Sequence, residues 1–316
     1  MALDLDLRLP VALPSEAPPR RGRLVLLSVL AGLALAVVWS ASLVDSVIGR
    51  SISDGVLGTE AEEMVITGSF MAAIFAFVTG VAGTFTACNI AVFGAIAPMA
   101  AQKQSFSKKL LEVLKPVGWL TLGAVVVAGL YGAIGVYIDG IVPQLSDARI
   151  GGEDGLRVGL IQASVVFGVI GAILIYRGLI AVQLVPNPLA GLFERHPRAD
   201  LLIMGGLIGA FLIGRPFGLF RHMYEYAGAT NNPVIGFLTF ALQAAGNIVL
   251  VSSLFLLLVF GTGGRFQRWL GAKPGRLATL TAAAMIIGGT FFVAYWDLRL
   301  PARLGLWWWP TMPWNS

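Results

Sequence analysis

One thiol and one buried-looking cation are the residues in this sequence best placed to do chemistry. Cys88 is the only cysteine among 316 residues, and it follows the small-residue stretch Gly80-Val-Ala-Gly83-Thr-Phe-Thr-Ala. A thiol at a helix break, near the positive end of a helix or near a cation, ionises more readily and can form a mixed disulfide with a partner. A free cysteine is equally at home as a small buried apolar side chain, so both readings stay open. A lone thiol excludes a disulfide within the chain. Arg215 stands in the run Gly206-Leu-Ile-Gly209-Ala-Phe-Leu-Ile-Gly214-Arg215-Pro216. An arginine inside hydrocarbon costs at least ~2.5 kcal/mol unless it finds a partner or water. Pro216 breaks the helix there and frees carbonyls for the guanidinium to bind. The competing reading puts Arg215 near an interface, where it snorkels beside Arg221 and His222. Cys88 with Asn89 and Arg215 is therefore the candidate central cluster, and Pro98 and Pro216 mark the expected helix breaks.

Other polar residues carry less. Arg177 sits near the end of an apolar run, where snorkelling is expected. His222 and Glu225 lie one turn apart and are expected to cluster with Arg221. Asn89, Gln162, Gln243 and Asn247 fall in or beside apolar runs, where such residues mostly hydrogen-bond between helices. The chain has two histidines, His196 and His222, on opposite sides of the expected bilayer. No metal site, bis-histidine haem or other cofactor is expected. No phosphate loop, nucleotide fingerprint or hydrolase constellation is visible.

The elements that position these residues follow from composition. Hydrophobic residues make up 57% of the chain and charged residues 12%, with a mean hydropathy of +0.81. A soluble domain carries roughly a quarter charged residues. The fold class expected is all-α, a polytopic membrane helical bundle, and the lipid bilayer is its first partner. Runs of about 20 apolar residues are needed to cross hydrocarbon. Seven are visible, at residues 24–43, 65–86, 117–138, 158–179, 201–221, 234–260 and 277–295. The further apolar piece at residues 90–101, which contains Pro98, is too short to span and reads as a broken or re-entrant helix.

The net charge of +5 does not point to nucleic acid, because the basic residues alternate between loops. Arg20, Arg21 and Arg23 precede the first span. Lys103, Lys108, Lys109 and Lys115 follow the second, Arg195 and Arg198 the fourth, and Arg265, Arg268, Lys273 and Arg276 the sixth. The intervening loops are acidic or mixed. The positive-inside rule then puts the N-terminus in the cytoplasm and the C-terminus outside, in a bacterial-type cytoplasmic (inner) membrane. Trp307, Trp308, Trp309 and Trp314 fit an aromatic belt at the outer interface. Residues 1–23 read as a cytoplasmic tail rather than a secretory signal. The organisation expected is this tail, then an extra N-terminal helix and outer loop at 24–63. Two three-helix repeats follow at 64–199 and 200–296, and a Trp-rich outer tail at 297–316. Three spans per repeat makes the repeats inverted.

The segment from Gly80 to Asn89 resembles that from Gly206 to Arg215, and both resemble motifs of one family. Spans two to seven resemble the six-helix core of the CcdA/DsbD family, the membrane thiol–disulfide carriers of cytochrome c biogenesis. The family's first motif is a Gly-rich helix running into a Ser-Pro-Cys-type sequence; here it reads Gly80 through Cys88-Asn89-Ile-Ala, with Pro98 beyond. Its second is a Cys-x-Gly-Pro-type sequence and then a Gly-x-Pro turn. Here it reads Ile213-Gly-Arg215-Pro216-Phe-Gly218, then Thr230-Asn-Asn-Pro233-Val-Ile-Gly236. The resemblance implies two inverted repeats, thiol–disulfide exchange and a thioredoxin-like or cytochrome-assembly partner. The departures are specific. Cys88 holds the first cysteine position, Ile213 (or Gly214 in a shifted alignment) replaces the second, and Asn89 stands where a proline would follow. An intramolecular two-cysteine relay is therefore excluded. Two alternatives use the same architecture: a transporter of a small solute or ion, and a non-catalytic subunit of a membrane complex. If the two motifs are equivalent, the Cα atoms of Cys88 and Arg215 lie within about 15 Å of each other.

Overall fold

The computed structural model describes residues 20–40, 42–58, 60, 66, 68–83, 106–138, 148–152, 155–215, 218–261, 265, 269, 272, 275–303, 305–310 and 312–315. Cys88, Asn89, Pro98 and Pro216 lie outside them, as does the apolar piece at 90–101.

The described chain is helical almost throughout. Helix α1 (Arg21–Val38) leads through a π-helical turn (Ser42–Gly49) into α2 (Arg50–Leu57), so much of the expected outer loop is helix. Gly58, at φ 73°, caps α2 by donating its N–H to the Asp54 carbonyl. Then come α3 (Gly68–Ala82), α4 (Phe106–Tyr137) and a two-stranded antiparallel hairpin, β1 (Arg149–Ile150) with β2 (Leu156–Arg157). The second half runs α5 (Val158–Ala181), α6 (Ala190–Arg195), α7 (Ala199–Gly214), α8 (Gly218–Ala229), α9 (Pro233–Gly261) and α10 (Arg276–Phe292). A π-helical segment (Val293–Leu298) and α11 (Arg299–Arg303) complete it.

Five described helices are long and apolar enough to cross a membrane: α1, α4 from Leu114, α5, α9 to Leu254, and α10 continued to Ala302. A sixth crossing is counted if α7 and α8 form one bent span. Helix α3, at 15 residues, is apolar but shorter. These apolar helices are those of a multipass helical membrane protein. The run expected at 201–221 is interrupted where a break was expected: α7 stops at Gly214, and α8 leaves at 88° to it.

Close backbone approach organises the bundle, as small residues allow in lipid. A Cβ at Gly80 of α3 would run into the Gln243 carbonyl of α9, and one at Gly246 of α9 into the Phe77 carbonyl of α3. The seam between α4 and α7 repeats this pattern. A Cβ at Gly205 would strike the Leu120 carbonyl, and one at Gly123 the Leu202 carbonyl. Gly171 of α5 and Gly289 of α10 face each other reciprocally, each Cβ position 2.7 and 2.6 Å from the other's carbonyl oxygen. Helices α4 and α7 run parallel, since Leu120 meets Gly205 and Ala124 meets Gly209. Helices α5 and α10 run antiparallel, since Gly171 meets Gly289 and Gly178 meets Ala282. Helix α1 packs on α10 through Gly32 against Thr290.

The core is aromatic between these seams. Phe167 stacks on Phe292 at 5.2 Å and on Trp296 at 5.0 Å between ring centroids. At the opposite end from the α1 start, Trp314 donates to the Val38 carbonyl at 2.9 Å and Trp307 to the Leu298 carbonyl at 2.6 Å. The C-terminal tryptophans thus cap the joint ends of α1 and α10.

Candidate polar site at the bend between α7 and α8

Helix α7 ends where proline chemistry requires it, because residue 216 has no N–H to donate back. The last helical bond is from the Arg215 N–H to the Phe211 carbonyl, 3.1 Å, and Arg215 itself is extended (φ −86°, ψ 113°). The last carbonyls of a helix lack partners within it. One of them, on Ile213, accepts from the Gln162 side-chain amide of α5 at 2.8 Å. The same amide nitrogen reaches the Tyr131 hydroxyl of α4 at 3.1 Å.

The Arg215 side chain is buried and turned toward the first half of the chain. Its Nη1 donates to the Gly83 carbonyl at 2.7 Å, and its guanidinium lies 5.4 Å from the Phe220 ring centroid. Gly83 ends the α3 segment and must be small. A Cβ there would stand 3.0 Å from both Arg215 Nη1 and Phe220. A cation otherwise too costly for hydrocarbon is thereby satisfied by a carbonyl at a helix end and an aromatic face.

Further polar groups ring this point. Tyr131 packs edge-on against Tyr224 (6.1 Å) and Phe240 (5.9 Å). The Tyr224 ring is fully buried, and its hydroxyl lies against Gly135, where a Cβ would overlap it. Gln243 of α9 donates to the Thr79 hydroxyl of α3 at 3.1 Å, and that hydroxyl donates to the Ala76 carbonyl. Among the described residues, Tyr224 OH, Gln162 Oε1 and Gln243 Oε1 are buried without a hydrogen-bond partner. Such groups call for a hydrogen-bonding guest or ordered water.

Other expectations resolve differently. Arg177 does not snorkel. It is buried and ion-paired with Asp200 in the first turn of α7, with Phe193 at 5.9 Å from its guanidinium. The reason is a carboxylate within reach, which the reading of the loop charges passed over. His222 does not join Arg221 and Glu225 in one cluster. Arg221 pairs with Glu225 one turn on at 2.9 Å, while His222 packs edge-on against Phe75 at 5.6 Å. A carboxylate missed by sequence reasoning, Asp297, accepts the Ser164 hydroxyl at 2.6 Å from the π-helical segment after α10. An acidic residue two positions past the last apolar run was the available signal. Among the described residues, no three His, Cys, Asp or Glu side chains cluster as a metal site.

The arrangement fixes a positive charge beside the end of α3 and leaves three buried polar atoms around the bend without a protein partner among the described residues. No family model, curated protein or solved structure matches this chain.

Proposed function

We propose that the chain is a seven-pass membrane carrier of the CcdA/DsbD type, with its N-terminus in the cytoplasm and its C-terminus outside. In this reading α3, α4 and α5 form one repeat and α7, α9 and α10 an inverted second, with α1 added. The matched glycine seams support it: α3 on α9 and α4 on α7 touch through corresponding glycines and carbonyls. They pair Gly80 with Gly205 and Phe77 with Leu202, one residue from the sequence match of Gly80 with Gly206. That register carries Cys88 onto Ile213.

The function proposed is single-thiol exchange with an extracytoplasmic thioredoxin-like or cytochrome-assembly partner. The Cys88 thiolate attacks a partner disulfide, a mixed disulfide forms, and the partner's other sulfur leaves as thiolate. A further thiol from the partner or a second protein resolves it, so no intramolecular relay is required. The observation that carries this reading is the bond from Arg215 to the Gly83 carbonyl, which fixes a positive charge five residues before Cys88. A nearby cation favours the thiolate, and apolar burial opposes it.

The test is alkylation of Cys88 by a membrane-permeant maleimide across pH, in the parent, in Arg215→Gln and in Arg215→Lys. The reading expects ready reaction near neutral pH in the parent and in the lysine variant, and a shift to higher pH in the glutamine variant. A folded parent whose Cys88 never reacts, or a glutamine variant with an unchanged profile, removes it. The second reading, a small-solute transporter, is favoured by the buried polar atoms of Gln162, Tyr224 and Gln243 without partners around the bend. Solute uptake in vesicles that is unaffected by Cys88→Ser would move the conclusion there.

A further inference from the structure

We propose that the end of the bundle formed by the start of α1, the end of α5 and the starts of α7 and α10 seats anionic phospholipid headgroups. Two arginines, each backed by a tryptophan, hold them. Arg198 lies 4.8 Å over the Trp119 ring, and Arg276 lies 4.9 Å over the Trp269 ring. Arg276 also donates to the Trp269 carbonyl at 2.6 Å, which fixes its plane. A guanidinium carries five N–H donors in a rigid fork suited to phosphate, so one such bond does not exhaust it. Tryptophan rings settle at the headgroup level of a bilayer. A Trp-backed arginine is thus held at the depth of the lipid phosphate.

The surroundings favour an anion. Arg21, Arg195 and Arg265 lie at the same end, and Arg21 is pinned there by a bond from its Nη1 to the Gln183 carbonyl, 3.2 Å. Of the described carboxylates at this end, Asp200 is already ion-paired to Arg177, and Glu194 is exposed. The other end is mixed in sign: Arg221 is paired to Glu225, and Asp54, Glu60, Arg149 and Arg157 are interspersed. Each arginine near an anionic membrane surface contributes about fivefold in binding.

The experiment is native mass spectrometry of the detergent-purified full chain with added phosphatidylglycerol or phosphatidylcholine, together with thermal unfolding in each lipid. Phosphatidylglycerol is expected to be retained and to raise the Tm, and phosphatidylcholine to do neither. Arg198→Gln and Arg276→Gln should each cut retention about fivefold. Arg221→Gln, at the opposite end, should retain lipid as the parent does. Arg198→Lys and Arg276→Lys keep the charge but lose the stacked plane, and each should lose part of the retention. Equal retention of both lipids overturns the proposal, as do unchanged glutamine variants. Lysine variants equal to the parent overturn the tryptophan-backed seat. A Tm rise with inorganic phosphate equal to that with phosphatidylglycerol shows a free-anion site instead and overturns it too.

Discussion

The α3–α9 seam and the α4–α7 seam share a backbone but not a chemistry. In both, a glycine on one helix accepts a carbonyl of the other, at Gly80 on Gln243 and at Gly205 on Leu120. In the first seam Thr79 and Gln243 bridge the helices with a hydrogen bond. Under the proposed register their counterparts are Met204 and Leu120, both buried and apolar. Helix α7 of the second seam is instead fastened to α5, by Gln162 on the Ile213 carbonyl and by Arg177 on Asp200. Asp200 corresponds to Phe75, which no cation pairs in that way. Small residues therefore set the approach in both seams, and the polar residues carried on the seams differ. In lipid, helices approach by shape, and polar groups then decide which approach is locked.

The largest expected effect lies at the lock the first half lacks. Arg177→Gln or Asp200→Asn strands a buried charge, and removing one partner of such a pair costs about 3–5 kcal/mol. Thermal unfolding in detergent should show a large loss for either single variant and a smaller loss for the double variant. Equal and additive losses would mean the pair is not a unit. The paired glycines come next. Gly80→Ala and Gly205→Ala each force a methyl against a backbone carbonyl, and overpacking of this kind costs about 1–3 kcal/mol. Matched losses sharpen the equivalence of the seams, and a silent variant on one side breaks it. The smallest effect belongs to the polar bridge. Gln243→Leu copies the apolar seam and should change stability by only about 0.6 kcal/mol, the usual size of an interhelical hydrogen bond in a membrane. A loss as large as that from Gly80→Ala would show that the first seam depends on its polarity.

Much of this was legible from sequence, for physical reasons. Long apolar runs marked α1, α4, α5, α9 and α10 because hydrocarbon thickness fixes helix length. The turn into α9 was written in Thr230-Asn231-Asn232-Pro233. Asn231 takes the left-handed conformation (φ 48°), and the Asn232 side chain accepts the Val234 N–H at 3.0 Å. Proline at the first helical position needs no donor. The bend at Arg215 was announced by an arginine and a proline in an apolar run. Its angle was not, because 88° is set by what α8 packs on: buried Leu219, Phe220 and Tyr224. The Arg177–Asp200 pair was missed because its partners lie on different helices, and Asp200 reads in sequence as a loop charge. Tyr131 was missed because one tyrosine in an apolar helix carries no pattern, and only the fold brings Gln162 to it.

The central claim is that Cys88 and Ile213 are equivalent positions of two inverted motifs that meet at the middle of the bundle. Ile213→Cys restores a second thiol there, and Gly214→Cys is the comparison in the shifted register. Disulfide formation requires Cα atoms within about 7 Å. Under mild oxidation in membranes, the account predicts that Ile213→Cys closes a disulfide with Cys88. Both thiols would then be lost to maleimide, and the halves would stay joined after cleavage in the loop between α5 and α7 until reduced. If Ile213→Cys leaves both thiols alkylatable, the register is contradicted, and if Gly214→Cys also fails to cross-link, so is the meeting of the two motifs.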